Sequence, residues 1–228
     1  GNFTPEYAKS IGDKLRENGI RVPILGCYIN PSDANEESLN ESLDYFIENL
    51  HYAKYIGAEM VGLETCRFSD DDEINNSEET YQYLLKNMKK LVSAAEEIGV
   101  NVGIEGVHFH VINTPTKMKR LVDDLNSPNV RVIFDPVNYI NTANYKNQDE
   151  IINTHFDLLG EKTKLLHLKD FKLVDGEVAY EFPCDGLLNK DLLWDKLKQY
   201  NPDIAVILEE VKEDHLAQVK AAVEKRFV

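Results

Sequence analysis

The stretch NVGIEGVHFHVINTP, residues 101–115, holds the pattern that decides the fold. Residues 101–104 read as a short buried strand. An acid, Glu105, follows at once, and the stretch closes on Thr114-Pro115, an N-cap residue followed by proline at the first helical position. Strand, acid, loop, helix is the order that recurs outward from here. Upstream, 59–63 reads as a strand followed by Glu64. Downstream, 130–134 is followed by Asp135, 164–168 contains His167, and 204–208 is followed by Glu209. An earlier apolar run, 21–27, reads as the first strand.

Between these runs lie segments of helical spacing. Thr4-Pro5 opens the first, which Gly19 stops; others cover 37–56, 77–98, 114–125, 149–159, 189–200 and 212–227. Strict alternation of helix and strand predicts a parallel sheet with helical crossovers. The runs are apolar throughout, as strands covered on both faces are. No linker or shift of composition divides the chain, so 1–228 reads as one domain. The fold class expected is α/β, a (β/α) barrel of the TIM type with six strands visible and the first two lacking, hence N-terminally incomplete. Two unpaired edges would follow, and with them self-association into a homo-oligomer.

Composition narrows the function. The 228 residues carry 25 Lys and Arg against 40 Asp and Glu, a net charge of −15. That balance argues against nucleic acid and against an anionic membrane surface as partners. No apolar run reaches the ~18 residues of a membrane span, and the opening GNFTPEYAKSIGDKL has no signal-peptide pattern. Cys27, Cys66 and Cys184 are few, odd in number and far apart. They suit small core residues in a reducing, cytoplasmic setting. No strand is followed by G-x-G-x-x-G, which sets a dehydrogenase aside. Asp70 to Glu79 reads as a solvated acidic loop, Trp194 as a core residue, and His51, His155 and His215 receive no function.

Catalytic groups of parallel α/β folds gather at the C-terminal strand ends. Glu105, Asp135, His167 and Glu209 stand there, one on each of the last four strands. Three carboxylates and one imidazole suit a hard or borderline divalent ion, with Mn²⁺ or Mg²⁺ favoured over Co²⁺ and Zn²⁺. An ion would relieve the mutual repulsion of the converging acids.

The contexts GIEGVHFHVINTP, VRVIFDPVN, LLHLKD and AVILEE resemble the strand-end motifs of the sugar phosphate isomerase/epimerase family, the xylose-isomerase-like barrels that include ketose 3-epimerases and hydroxypyruvate isomerases. The resemblance runs from about Arg21 to the end. It implies that Glu105, Asp135, His167 and Glu209 ligate the metal and that Glu105 and Glu209 are the acid/base pair. It also implies a ketose or sugar phosphate as substrate and an enediolate intermediate. His108 and His110, Asn138, Lys169 and Glu64 are the expected substrate-binding residues, with Lys172 beside Lys169 as a second candidate for an anionic group.

Departures from the family pattern are local. The usual D-x-x-H reads Asp135-Pro136-Val137-Asn138, and an amide cannot act as an acid. A G-x-G reads Cys184-Asp185-Gly186, and Leu173 stands near the place of a substrate-binding arginine. Two other readings compete: a non-catalytic metal- or sugar-binding relative, and an endonuclease-type phosphodiesterase. The second needs more histidines and a basic surface.

Overall fold

The computed structural model describes residues 3–227; the expected domain's first two residues and its last lie outside them. The strands, in chain order, are β1 (Leu25–Gly26), β2 (Met60–Glu64), β3 (Asn101–Glu105), β4 (Val130–Phe134), β5 (Thr163–Leu168), β6 (Asp170–Val174), β7 (Glu177–Glu181) and β8 (Ala205–Leu208). The helices are α1 (Pro5–Glu17), α2 (Glu36–Ile56), α3 (Asp72–Asn75), α4 (Glu78–Ile98), α5 (Pro115–Leu125), α6 (Gln148–Leu159), α7 (Lys190–Tyr200) and α8 (Leu216–Phe227). Six strands form a curled parallel sheet in the order β1-β2-β3-β4-β5-β8, the expected barrel type with two edges.

The helix ends follow from short polar caps. Thr4, Asn35, Ser77, Thr114 and Asn189 each accept a backbone N–H in the first turn of the helix that follows. Gly57 and Gly99 close α2 and α4 at φ of 85° and 80°, a region where a Cβ is costly. The helices pack apolar faces on the sheet, so β2 to β5 are buried almost throughout. Trp194 on α7 is a core residue, as its spacing indicates.

Three expectations need correction. The first strand is not 21–27: only Leu25 and Gly26 pair with β2, apart from an isolated bridge between Val22 and Ala58. Pro23 lies between the two contacts and offers no N–H to a ladder. The acidic stretch 70–79 is not simply a loop. Asp71 caps α3, Ser77 caps α4, and buried Asn75 accepts the N–H groups of Phe68 and Ser69. Thirdly, β6 and β7 form an antiparallel hairpin outside the main sheet, between the expected strand 164–168 and helix 189–200, where the strict alternation had no strands. Its turn, Asp175-Gly176, has φ of 52° and 89°, as a two-residue hairpin turn of the primed type requires.

The hairpin is anchored by Asp170. This fully buried carboxylate accepts the N–H groups of Phe171, Gly186 and Leu188 and pairs with Lys190 at 2.8 Å. A Cβ at Gly186 would collide with Asp170 itself, which explains the one glycine kept of the G-x-G. Cys184, in the place of the other, is held at φ 74°. Among the described residues no helix is long and apolar enough to cross a membrane.

Candidate active site

Parallel register brings the strand-end acids side by side. Glu64 and Glu105 are directly paired residues of β2 and β3, and β4, β5 and β8 carry Asp135, His167 and Glu209 to the same end. Glu105, Asp135 and His167 are buried, whereas the Glu209 side chain keeps 30% of its exposure. Glu210, next to Glu209, sits at φ 58°, and Cys66 just beyond β2 at φ 53°. Strained backbone of this kind gathers at functional strand ends.

Each carboxylate has one oxygen held by a donor. Glu105 Oε1 accepts Asn138 Nδ2 at 2.8 Å. Asp135 Oδ1 accepts the N–H groups of Val137 at 2.8 Å and Asn138 at 3.2 Å. Glu209 Oε2 accepts Lys169 Nζ at 3.0 Å, and the same ammonium lies 2.7 Å from Asp135 Oδ2. The other oxygens of the two glutamates turn to one place. His167 Nδ1, buried and without a well-directed hydrogen bond, is 3.2 Å from Glu105 Oε2 and 3.0 Å from Glu209 Oε1.

The charges follow from this packing. Burial works against a protonated His167, but Glu105 and the neighbouring acids outweigh it and raise its pKa. Burial also opposes the charge on Lys169; Asp135 and Glu209 more than offset it and hold the ammonium above its usual range. Burial lifts Asp135 to about 6 against the pull of Lys169, and lifts Glu64 to about 7 with repulsion from Glu105 added.

The expected substrate-binding residues surround this cluster. His108 donates its backbone N–H to the Asn138 carbonyl at 2.6 Å, and its ring Nδ1 is 3.3 Å from the same oxygen. His110 is buried with Nε2 3.8 Å from Glu64 Oε2, and burial pushes its pKa down to about 4. Lys172 points away to an exposed pair with Glu181 on the hairpin. Two tyrosines went unread in the sequence. Tyr180 of β7 places its ring 4.8 Å from Lys169 Nζ, and Tyr28, just after β1, feels Glu105, Glu209 and Glu64 strongly enough that they join burial in raising its pKa. No motif marks either residue; the Asp175-Gly176 turn was the signal that would have found the strand carrying Tyr180.

The model of one family, the xylose isomerase-like TIM barrel, matches residues 1–226. The chain belongs to this family. No curated protein matches it. Among solved structures this xylose isomerase-like barrel is similar to IolI protein with a bound zinc atom, at 18% identity and a TM-score of 0.77, covering 98% of this chain and 84% of that one. It is also similar to a D-tagatose 3-epimerase-like protein, at 17% identity and a TM-score of 0.80, covering 98% and 83%. A third is a xylose isomerase-like barrel protein from Mycobacterium smegmatis in complex with magnesium, at 12% identity and a TM-score of 0.72, covering 99% and 79%. At such identities the likeness is one of fold.

The barrel's residues meet a divalent ion halfway. Their chemistry fits: oxygen donors, one imidazole nitrogen left without a directed partner, and separations near 3 Å, which is about the edge of an octahedron with ~2.1 Å bonds. As the side chains stand, however, no three His, Cys, Asp or Glu among the described residues are grouped so as to hold an ion. A cation already lies between Asp135 and Glu209, and it is Lys169.

Proposed function

We propose that this chain is a metal-dependent isomerase or epimerase that moves a proton next to the carbonyl of a ketose or sugar phosphate. One observation carries the reading: the unheld oxygens of Glu105 and Glu209 both flank His167 Nδ1, at 3.2 and 3.0 Å. Two carboxylates converging on one spot from different strands can serve opposite faces of one carbon. The ligands would be Glu105, Asp135, His167 and Glu209, and a Mn²⁺ or Mg²⁺ there would supply Lewis-acid polarisation of the carbonyl.

The chain's own part is proton management. One glutamate takes the proton from the carbon α to the carbonyl, leaving an enediolate. The other, protonated, returns a proton to the opposite face, so proton count and charge balance over the turnover. Asn138 keeps Glu105 turned into the site, and Lys169 does the same for Glu209. His108, His110, Glu64 and Asn138 are the groups nearest to receive hydroxyls. The test is exchange of the α proton in D₂O with ketoses and Mn²⁺. Glu105→Gln and Glu209→Gln are each expected to slow exchange by ~10²–10⁴-fold with the fold intact. Full exchange in either variant would sink the acid/base assignment.

A second reading, a non-catalytic metal- or sugar-binding relative, is favoured by the one observation that Lys169 takes the place of a cation between two of the ligands. Sugar binding without any α-proton exchange would select it. We further propose self-association through the sheet edge at β8, whose four residues are all only half-buried. A monodisperse monomer in light scattering at micromolar concentration would remove that part.

A further inference from the structure

The cleft beside the carboxylate cluster has room for more than one free ketose and has the wrong charge for a phosphate. Its volume is about 870 Å³, near the upper end of the ~300–1,000 Å³ that pockets use to enclose drug-sized ligands. It adjoins the cluster at two points. His108 lines it and rests on the Asn138 carbonyl, while Tyr180 lines it and lies beside Lys169. Glu105, Asp135, His167 and Glu209 do not line it, so it would be reached by a substituent of a substrate held there, past His108 and Tyr180.

Charge decides what that extension is. Among the described residues lining the cleft, Arg67 is the one Lys or Arg, and it is paired with Asp70 at 3.1 Å. Asp72 and Glu177 add two further acids. The lysines expected to meet an anion are committed elsewhere, Lys169 to Asp135 and Glu209 and Lys172 to Glu181. The Arg67–Asp70 pair is exposed and weak, but three acids face one arginine, so a dianionic phosphate entering here would meet net like charge. The aromatic surface points the same way. Phe109 stands in the wall with the Arg67 guanidinium 4.9 Å over its ring, and Tyr180 is 45% exposed. Aromatic faces against the C–H side of a pyranose, with acids to accept its hydroxyls, make a setting for an uncharged sugar ring.

We propose that this cleft holds a second, uncharged sugar ring, so that the substrate is a glycosylated ketose and not a phosphorylated one. The proposal rests on the isomerase/epimerase reading for the reacting end only. It is tested with ketoses that differ only in their substituent: fructose, fructose 6-phosphate, isomaltulose (glucosyl at O6) and lactulose (galactosyl at O4), all with Mg²⁺. Two quantities are read: saturation transfer from protein to ligand ring protons, and α-proton exchange in D₂O.

The expected result is saturation of the glycosyl ring of at least one disaccharide, with kcat/KM for exchange about tenfold or more above fructose 6-phosphate. Phe109→Ala is expected to raise KM for that disaccharide several-fold more than KM for fructose. Asp72→Lys is expected to narrow the gap between disaccharide and phosphate even if Phe109→Ala folds poorly. The proposal is overturned if fructose 6-phosphate outperforms both disaccharides, or if neither glycosyl ring is saturated. Saturation of a glycosyl ring with no exchange on any ketose would keep the cleft as a sugar-ring site and end both the isomerase reading and the assignment of a substrate. Exchange on fructose with no glycosyl saturation would keep the isomerase reading and end the cleft assignment.

Discussion

The ammonium of Lys169 lies 2.7 Å from Oδ2 of Asp135, with both side chains withdrawn from water. Breaking a buried pair by removing one partner typically costs about 3–5 kcal/mol, because the other charge is stranded. Lys169→Met is expected to lose about that much in EDTA. If a divalent ion takes the same position, excess Mg²⁺ should return much of the loss and should stabilise the variant more than the parent. Urea midpoints with and without the ion measure both. Equal losses in the two conditions would show that ion and lysine do not share the place.

Asn138 is expected to act on Glu105. Its amide is the donor to Glu105 Oε1, and that carboxylate is almost wholly buried. Asn138→Ala leaves the oxygen without a partner, at a cost of about 1–3 kcal/mol. Chemical denaturation checks the number, and kcat should fall more than KM rises if Glu105 swings out of line.

A pH dependence should come from His155, whose shift is caused by burial and not by the carboxylates. It is fully buried, stacked on Phe134 at 3.6 Å, with Nε2 2.9 Å from Thr163 Oγ1. The Thr163 hydroxyl donates to the Leu159 carbonyl, so the imidazole donates from Nε2 and its Nδ1 is bare and unpartnered. Burial pushes its pKa down to about 3. The unfolded chain takes up this proton below ~6.5, and the folded chain does not until about 3. The stabilisation is therefore complete above ~6.5 and declines as pH falls, by at most ~1.4 kcal/mol per pH unit. His155→Gln should flatten the slope of urea midpoint against pH between 7 and 5. An unchanged slope would assign it to other groups.

Asp170 should matter for the hairpin and not for proton transfer itself. Asp170→Asn removes the partner of Lys190 and weakens three backbone hydrogen bonds that hold 171–188. A loss of about 3–5 kcal/mol is expected. Amide exchange should rise across β6 and β7 before it rises in β3 or β4. A uniform rise would mean that the hairpin and sheet open together.

The barrel and the four strand-end groups were legible because their signals are local. An apolar run ending in an acid, then a capped helix, is a pattern within fifteen residues, and the parallel register does the rest. What stayed hidden depends on contacts between distant segments. Nothing in 164–172 says that Lys169 folds back on Asp135 and Glu209 and not toward a phosphate. Tyr28 and Tyr180 are ordinary surface tyrosines until the segment after β1 and the β6–β7 hairpin bring them beside the cluster. The hairpin was readable from Asp175-Gly176 with alternating neighbours, but an expected helix–strand alternation left no slot for it. Pro23 was visible too, and its missing N–H predicts the shortened first strand.

Between β5 and β8, neighbours in the sheet, the chain leaves for 169–204 and inserts the hairpin before returning through α7. The sheet registers its strands without the hairpin, which Asp170 fixes at its root while Thr142 bonds Glu177 and Val178 near its tip. The cleft is thus walled only in part by the hairpin, through Glu177 and Tyr180, and otherwise by residues near Arg67, Phe109 and Asn141. An exchange of 171–188 for the equivalent crossover of another barrel should reshape one wall of the cleft while the glutamates keep their positions.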